Sequence, residues 1–208
     1  MTDPGKLIVF EGLSGSGKGT QLLLLATTLF KHGSKDLLLT REPTSGRFGQ
    51  AVKELRAQHK RNGIEPRTAA GEYLRLYTED AIEHSRVTIA PALAAGQTVL
   101  CDRYYHSRLC YQVEEGFSFD HVLSLQKEVV RPDLTLLFDL SPELALQRID
   151  TRGERSQLER LELMTRLRGR YLELPGKLSG ENIEVIDASC SVDKVAEQVA
   201  GVVARVVF

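Results

Sequence analysis

Gly12, Gly15, Gly17 and Gly19 surround a single lysine, Lys18, and are followed by Thr20. Leu13, Ser14 and Ser16 complete the stretch, so that Gly12 and Gly17-Lys18 match the spacing G-x-x-x-x-G-K. A polyphosphate needs several backbone N–H groups pointing inward, and side chains would block that approach. The whole loop, Gly15 at its middle included, is therefore a candidate cradle for a polyphosphate. Lys18 has the reach for β- and γ-phosphates, and the Thr20 hydroxyl is a candidate ligand for Mg²⁺. Gly19 separates Lys18 from Thr20, a one-residue variant of the usual ending.

Two further clusters have the right chemistry. Arg41, in Arg41-Glu42-Pro43, carries a planar fork suited to bidentate phosphate contact. Asp102-Arg103-Tyr104-Tyr105 offers an acid that could orient Mg²⁺ and an arginine that could hold an acceptor phosphate. Arg152 and Arg155 flank Gly153-Glu154 in a short polar stretch over residues 151–157. Such a lid could close on a transferring phosphoryl group, excluding water and neutralising charge. The bland alternative for these arginines is a solvated charge run with helical partners such as Glu162–Arg166. Tyr77 and Gln112 are the preferred contacts for a base, among tyrosines that include Tyr104 and Tyr111. His84 and His106 have no partner at metal spacing and receive no catalytic role.

The elements that position these groups follow from periodicity. Apolar runs at residues 6–11, 36–40, 98–101, 134–140 and 183–186 read as five buried strands. Helical patterns fill the intervals: 18–32, 51–58, a long one over 67–95 with a kink at Pro91, 118–130, 142–150, 157–174 and a last one from Val192. Residues 59–63 and 175–181 read as breaks. Strands alternating with helices predict an α/β fold, a five-stranded parallel sheet flanked by helices in three layers. Ligands of such sheets sit beyond the carboxyl ends of the strands, where all three polar clusters fall.

At 208 residues, 42% of them hydrophobic, the chain suits a single domain over 1–208. A net charge of −1 argues against nucleic acid as a partner. No apolar run has the length of a membrane span, MTDPGK does not read as a signal peptide, and Cys101, Cys110 and Cys190 lack metal spacing. These traits predict a cytoplasmic protein without membrane association.

The wording FEGLSGSGKGTQ at 10–21, TREP at 40–43 and DRYYHSRLCYQ at 102–112 resembles that of the thymidylate kinases, P-loop nucleoside monophosphate kinases, in archaeal and some bacterial forms. RPDLTLLFDLSPELALQRI at 131–149 and YLEL at 171–174 extend the resemblance to nearly the whole chain. It implies the P-loop kinase fold with a short arginine-bearing lid, and ATP with Mg²⁺ phosphorylating a deoxynucleoside monophosphate, dTMP above others, usually in a homodimer. It also implies that Lys18 and the loop amides hold ATP, Arg41 and Arg103 the acceptor phosphate, and Asp102 a place near the metal. Tyr77 would stack on thymine, Tyr111 and Gln112 would lie near the nucleoside, and Arg152 and Arg155 would supply catalytic charge. Two positions depart from the pattern: Ser14 stands where the family usually has an acid, and Ala81 follows Asp80 where it usually has arginine. Two rivals share the loop: a kinase with another nucleotide or nucleoside acceptor, and a nucleotide-binding protein without turnover.

Overall fold

The computed structural model describes residues 5–34, 36–149 and 157–206. The strands are β1 (Leu7–Gly12), β2 (Leu37–Arg41), β3 (Thr98–Asp102), β4 (Leu134–Asp139) and β5 (Ile183–Asp187). They form one parallel sheet in the order β2-β3-β1-β4-β5. Every residue of β1 is buried, as a central strand covered on both faces requires. Burying Leu7, Ile8, Val9 and Phe10 contributes about 1.5–3 kcal/mol each before chain entropy opposes it. Phe10 and Arg41 both pair with Asp102, so the register brings the ends of β1, β2 and β3 together.

Helices α1 (Lys18–Lys31) and α9 (Val192–Val206) pack on one another and on the sheet. The other helices are α2 (Arg47–Arg61), α3 (Ala70–His84), α4 (Ala90–Ala94), α5 (Tyr105–Glu114), α6 (Phe119–Ser124), α7 (Pro142–Arg148) and α8 (Gln157–Lys177). Helix α5 packs on β1, α3 and α8, and α2 packs on α3. Val52, Tyr73 and Leu76 form a small apolar cluster between α2 and α3, apart from the main core.

The strands fall where the apolar runs predict, but only β1, β3 and β4 are buried. The edge strands β2 and β5 leave Leu39 and Val185 exposed, because only one neighbouring strand covers each, and several helices differ as well. Helix α5 is not evident from the sequence, because His106, Arg108 and Gln112 are buried among its inward residues and blur the apolar period. Helix α2 runs beyond 51–58 at both ends and takes in part of the expected break; His59, Lys60 and Arg61 suit the negative end of its dipole. The 67–95 stretch begins as a 3₁₀ turn (Pro66–Ala69), and a π-helical segment, Ser85–Ile89, joins α3 to α4 just before Pro91. Proline has no N–H for the preceding turn, and the wider π segment absorbs that loss. Helix α6 stops at Ser124 rather than near 130, and Gln126 is instead buried with its amide on the Val122 carbonyl. Helix α8 carries through Pro175 to Lys177, since burial of Tyr171, Leu174 and Leu178 holds its last turns to the core.

Candidate active site

The loop between β1 and α1 is built by glycine where no side chain would fit. Gly12 has φ 133°, and a Cβ there would lie 2.4 Å from the Phe138 carbonyl oxygen of neighbouring β4. Gly15 has φ 84°, and a Cβ there would lie 2.4 Å from the Ala145 carbonyl oxygen of α7. Gly17 caps α1. Thus the chain turns sharply and presents the N-terminal amides of a long helix to the strand ends. Lys18 folds back under the loop: Nζ donates to the carbonyls of Leu13 (2.7 Å) and Gly12 (3.1 Å) and to Ser16 Oγ (3.3 Å). Burial, followed by the nearby Arg103 charge, pushes the Lys18 ammonium down to about 7, against the opposing pull of Asp102 and Glu11.

Glu11 is fully buried at the end of β1 and organises the segment after β3. Its carboxylate accepts from the N–H groups of Tyr104 (2.7 Å) and Ser107 (3.0 Å) and from the hydroxyls of Ser107 (2.8 Å) and Tyr171 (3.2 Å). Arg103 sits between these groups with φ 68°, the one non-glycine positive φ among the described residues. A side chain held in that region carries strain, which the surrounding bonds must offset. Arg103 donates to Ser107 Oγ (3.1 Å), Tyr171 Oη (3.2 Å) and Ser14 Oγ (3.2 Å), so its guanidinium bridges β3's end and the glycine loop. Ser14, the position where an acid was expected, is therefore an exposed neutral partner for this arginine.

Beside Arg103 lies a cavity of about 310 Å³. Ser14 and Arg103 line it together with Tyr104, Tyr111 and Gln112 of the segment following β3, and Tyr77 of α3. Tyr104 contributes only its buried flank, since its hydroxyl donates to the Val130 carbonyl at 3.0 Å. Four lining residues have no signal in the sequence that singles them out: Glu42, Arg56, Ser107 and Arg108. Arg56 pairs with Glu115 at 2.6 Å and lies 4.0 Å over the Tyr73 ring and 5.4 Å from the centre of Tyr77. Arg108 pairs with Glu42 at 2.6 Å, and Glu42 also bonds His84 at 3.0 Å. Burial pushes the Glu42 carboxyl up, but Arg108 and His84 more than reverse this and hold it below its ordinary value.

The expected site residues thus divide. Gly12 to Thr20, Asp102 and Arg103 converge at the strand ends, with Tyr77, Tyr104, Tyr111 and Gln112 on the adjoining cavity. Of the glycine loop, Ser14 alone lines that cavity. Gly15, expected as one amide of the phosphate cradle, also seats the loop against α7, a packing duty with no signal in the sequence. Arg41 is exposed at the end of β2, pairs in register with Asp102, and is absent from the cavity lining. Arg152, Arg155 and the expected lid at 151–157 lie outside the described residues, save Gln157 at the start of α8. The arginines that follow reach across the fold rather than along their helix: Arg166 pairs with Glu114 at 2.6 Å, not Glu162, and Arg168 pairs with Asp139 at 2.7 Å. Ala81 is fully buried, and Asp80 beside it accepts from the Thr44 N–H at 2.8 Å and from its hydroxyl. Arg75 and Arg86 are exposed. Besides Arg103, the cations lining the cavity are Arg56 of α2 and Arg108 of α5.

For a cation such as Mg²⁺ the fit rests on Asp102. Its Oδ1 is buried with no hydrogen-bond partner, and Oδ2 lies 4.0 Å from where a Gly19 Cβ would stand. A hard oxygen left free beside the phosphate loop suits Mg²⁺, which uses few protein ligands besides phosphates and water. The Thr20 hydroxyl, by contrast, belongs to an exposed residue, and Gly19 is the neighbour of Asp102. No group of three or more His, Cys, Asp or Glu residues able to hold a metal occurs among the described residues.

Comparison with known proteins covers nearly the same span as these elements. The family model for thymidylate kinase matches residues 10–199. A probable thymidylate kinase of Pyrococcus abyssi is 36% identical over 200 residues, 96% of each chain. One from Thermococcus gammatolerans is 34% identical over 202 residues, again 96% of each chain. A thymidylate kinase of Xanthomonas campestris pv. campestris is 37% identical over 206 residues, 98% of this chain and 85% of that one.

Proposed function

Because the chain belongs to the thymidylate kinase family, we propose that it transfers the γ-phosphoryl group of ATP to dTMP, giving dTDP. The observation that carries this reading is Arg103, whose guanidinium joins the lysine-bearing glycine loop to a cavity lined by Tyr77, Tyr111 and Gln112. One side of this arginine suits a donor polyphosphate and the other a nucleoside monophosphate.

The acceptor phosphate oxygen is already a nucleophile, so the work is positioning and charge neutralisation. Lys18 exchanges its bonds to the Gly12 and Leu13 carbonyls for donor phosphate oxygens, and the amides at the start of α1 supply further donors. Arg103 holds the acceptor phosphate, kept in place by Ser107 and Tyr171, which Glu11 anchors in turn. Arg41 lies near Asp102 in the sheet, and an approaching phosphate would draw its exposed side chain inward. Tyr77 offers a face to the base. Arg152 and Arg155, outside the described residues, would supply positive charge to the transferring group. Bound Mg²⁺, with Asp102 as its protein carboxylate and Thr20 as a weaker candidate, would neutralise phosphate charge there.

A homodimer and a cytoplasmic location belong to the same proposal. The three unpaired cysteines support a reducing compartment. No helix among the described residues is long and apolar enough to cross a membrane.

The test offers purified protein ATP, Mg²⁺ and a panel of dTMP, dUMP, other monophosphates and nucleosides, following ADP release. Highest kcat/KM on dTMP is expected. A better acceptor of another class, or ATP binding without turnover on any acceptor, would overturn the proposal. Size-exclusion chromatography with light scattering tests the dimer.

A further inference from the structure

We propose that Arg108 reads the acceptor base by donating a hydrogen bond from its Nη2 to O4 of thymine. The inference rests on the reading of the cavity as the nucleoside monophosphate site. Arg108 is only 4% exposed and lines that cavity from α5. Its Nε donates to Gln126 Oε1 at 3.0 Å and its Nη1 to Glu42 Oε2 at 2.6 Å. Glu42 is held in turn by His84, which bonds Thr40 at 2.7 Å. Two edges of the guanidinium are therefore fixed and its charge is compensated within the wall, which suits a neutral ligand. Nη2 is buried and has no partner. A buried donor left unpaired is disfavoured, and beside a cavity an acceptor on the ligand relieves it. Arg56 Nε also lacks a partner, but that guanidinium already lies over the Tyr73 ring.

Gln112 stands one helical turn beyond Arg108 and lines the same cavity. Its Nε2 donates to Glu115 Oε2 at 3.4 Å, which leaves the amide oxygen as the group that can accept. Guanidinium can only donate. A donor at Arg108 beside an acceptor at Gln112 complements O4 and N3–H of thymine or uracil. Cytosine presents an amino group and an unprotonated N3 at those places, so donor would face donor and acceptor face acceptor. Depth selects O4 over O2: Arg108 belongs to the buried wall, while exposed Ser14 marks the phosphate end, and O2 adjoins the sugar. Helix α3 puts the apolar, buried Ala81 in the main core and presents Tyr77 to the cavity, so the polar reading falls to α5.

The experiment measures calorimetric binding of dTMP, dUMP, dCMP and the 4-thio and 2-thio analogues of dTMP to the wild-type protein, Arg108→Met and Arg108→Lys, without ATP. The wild type should bind dTMP and dUMP about ten- to a hundredfold more tightly than dCMP. The 4-thio analogue, a weaker acceptor, should bind less well than dTMP. Arg108→Met should lose this difference and weaken the discrimination against dCMP, of which Gln112 keeps a part. Equal wild-type affinity for dTMP and dCMP, no binding of dTMP, sensitivity to the 2-thio but not the 4-thio change, or a folded Arg108→Met that keeps both preferences would overturn the proposal. If thermal melting shows that the variants do not fold, the two thio analogues on the wild type decide alone. Turnover of dTMP is scored separately: binding selectivity without turnover sinks the kinase reading and leaves base reading intact, and turnover without selectivity does the reverse.

Discussion

Lys18 is a proton acceptor waiting for the donor nucleotide. In the free protein its Nζ is buried against two carbonyls and a hydroxyl, beside Arg103, with a pKa lowered to about 7. At pH 8 such a group is about nine-tenths neutral, and at pH 6 about one-tenth neutral. A polyphosphate against Nζ restores the ammonium, so binding at pH 8 should take up about 0.9 proton and at pH 6 about 0.1 from this group. Recharging at pH 8 costs about 1.4 kcal/mol, which weakens ATP binding about tenfold relative to pH 6 from this source. The assay is titration with the β,γ-imido analogue of ATP in buffers of different ionisation enthalpy, at both pH values. Lys18→Arg supplies the control, because guanidinium stays charged throughout and should take up no proton. Wild-type uptake at pH 8 equal to that of Lys18→Arg would refute the reasoning. A linked effect concerns stability. The folded pKa lies below the ordinary 10.5, so the unfolded chain binds the extra proton between pH about 7 and 10.5. This group therefore favours the folded, unliganded protein increasingly as pH rises through that window.

Arg103→Met should raise the KM for dTMP by about ten- to a hundredfold, the loss of one charge-assisted contact, and lower kcat as well; unchanged kinetics would remove Arg103 from the acceptor site. Glu11→Gln places an amide against two backbone N–H groups and two hydroxyls, so a loss of about 1.5–3 kcal/mol is expected. In a chain of this length that is a fall of about 3–12 °C in Tm, read by thermal melting, and no fall would contradict its anchoring role. Arg152→Ala and Arg155→Ala should each lower kcat, by up to about 10³-fold, with little change in ATP affinity. Steady-state kinetics and nucleotide titration separate these quantities, and an unchanged kcat in both variants would dismiss the lid.

What the sequence makes legible, and what it hides, follows from where polar residues point. The central strands are readable because both faces of the sheet are covered there, so the apolar run is unbroken from Leu7 to Phe10 and interrupted only by the buried Thr135 from Leu134 to Phe138. The glycine loop is readable because only glycine meets its geometry, as the approaches of Gly12 to the Phe138 carbonyl and of Gly15 to the Ala145 carbonyl show. Which neighbour each glycine meets is not readable, since β4 and α7 lie more than a hundred residues along the chain. Helix α5 is hidden for the opposite reason: it turns His106, Arg108 and Gln112 inward, and a period of apolar residues cannot register a buried arginine. Glu11 offered a faint signal, an acid ending an apolar strand, but its four partners lie between 93 and 160 residues away.

Site composition divides along the same line. The groups proposed to meet phosphate, Lys18 and Arg103, stand in fixed spacing to glycines and strand ends and can be found by pattern. The groups proposed to meet the base come from α2, α3 and α5 and come together on the cavity only after the chain has folded. Substituting Ser14 for an acid changes the partner of Arg103 to a neutral hydroxyl at 3.2 Å, and Ala81 leaves α3 without a cation at its place. Read from the sequence, both changes look like losses from the acceptor site. In the fold they coincide with two arginines on other helices, Arg56 and Arg108, each paired with a glutamate on the cavity wall or next to it. On the proposed reading, the positive charge that α3 lacks at Ala81 is supplied beside the cavity by Arg56 of α2 and Arg108 of α5, each of them paired with a glutamate.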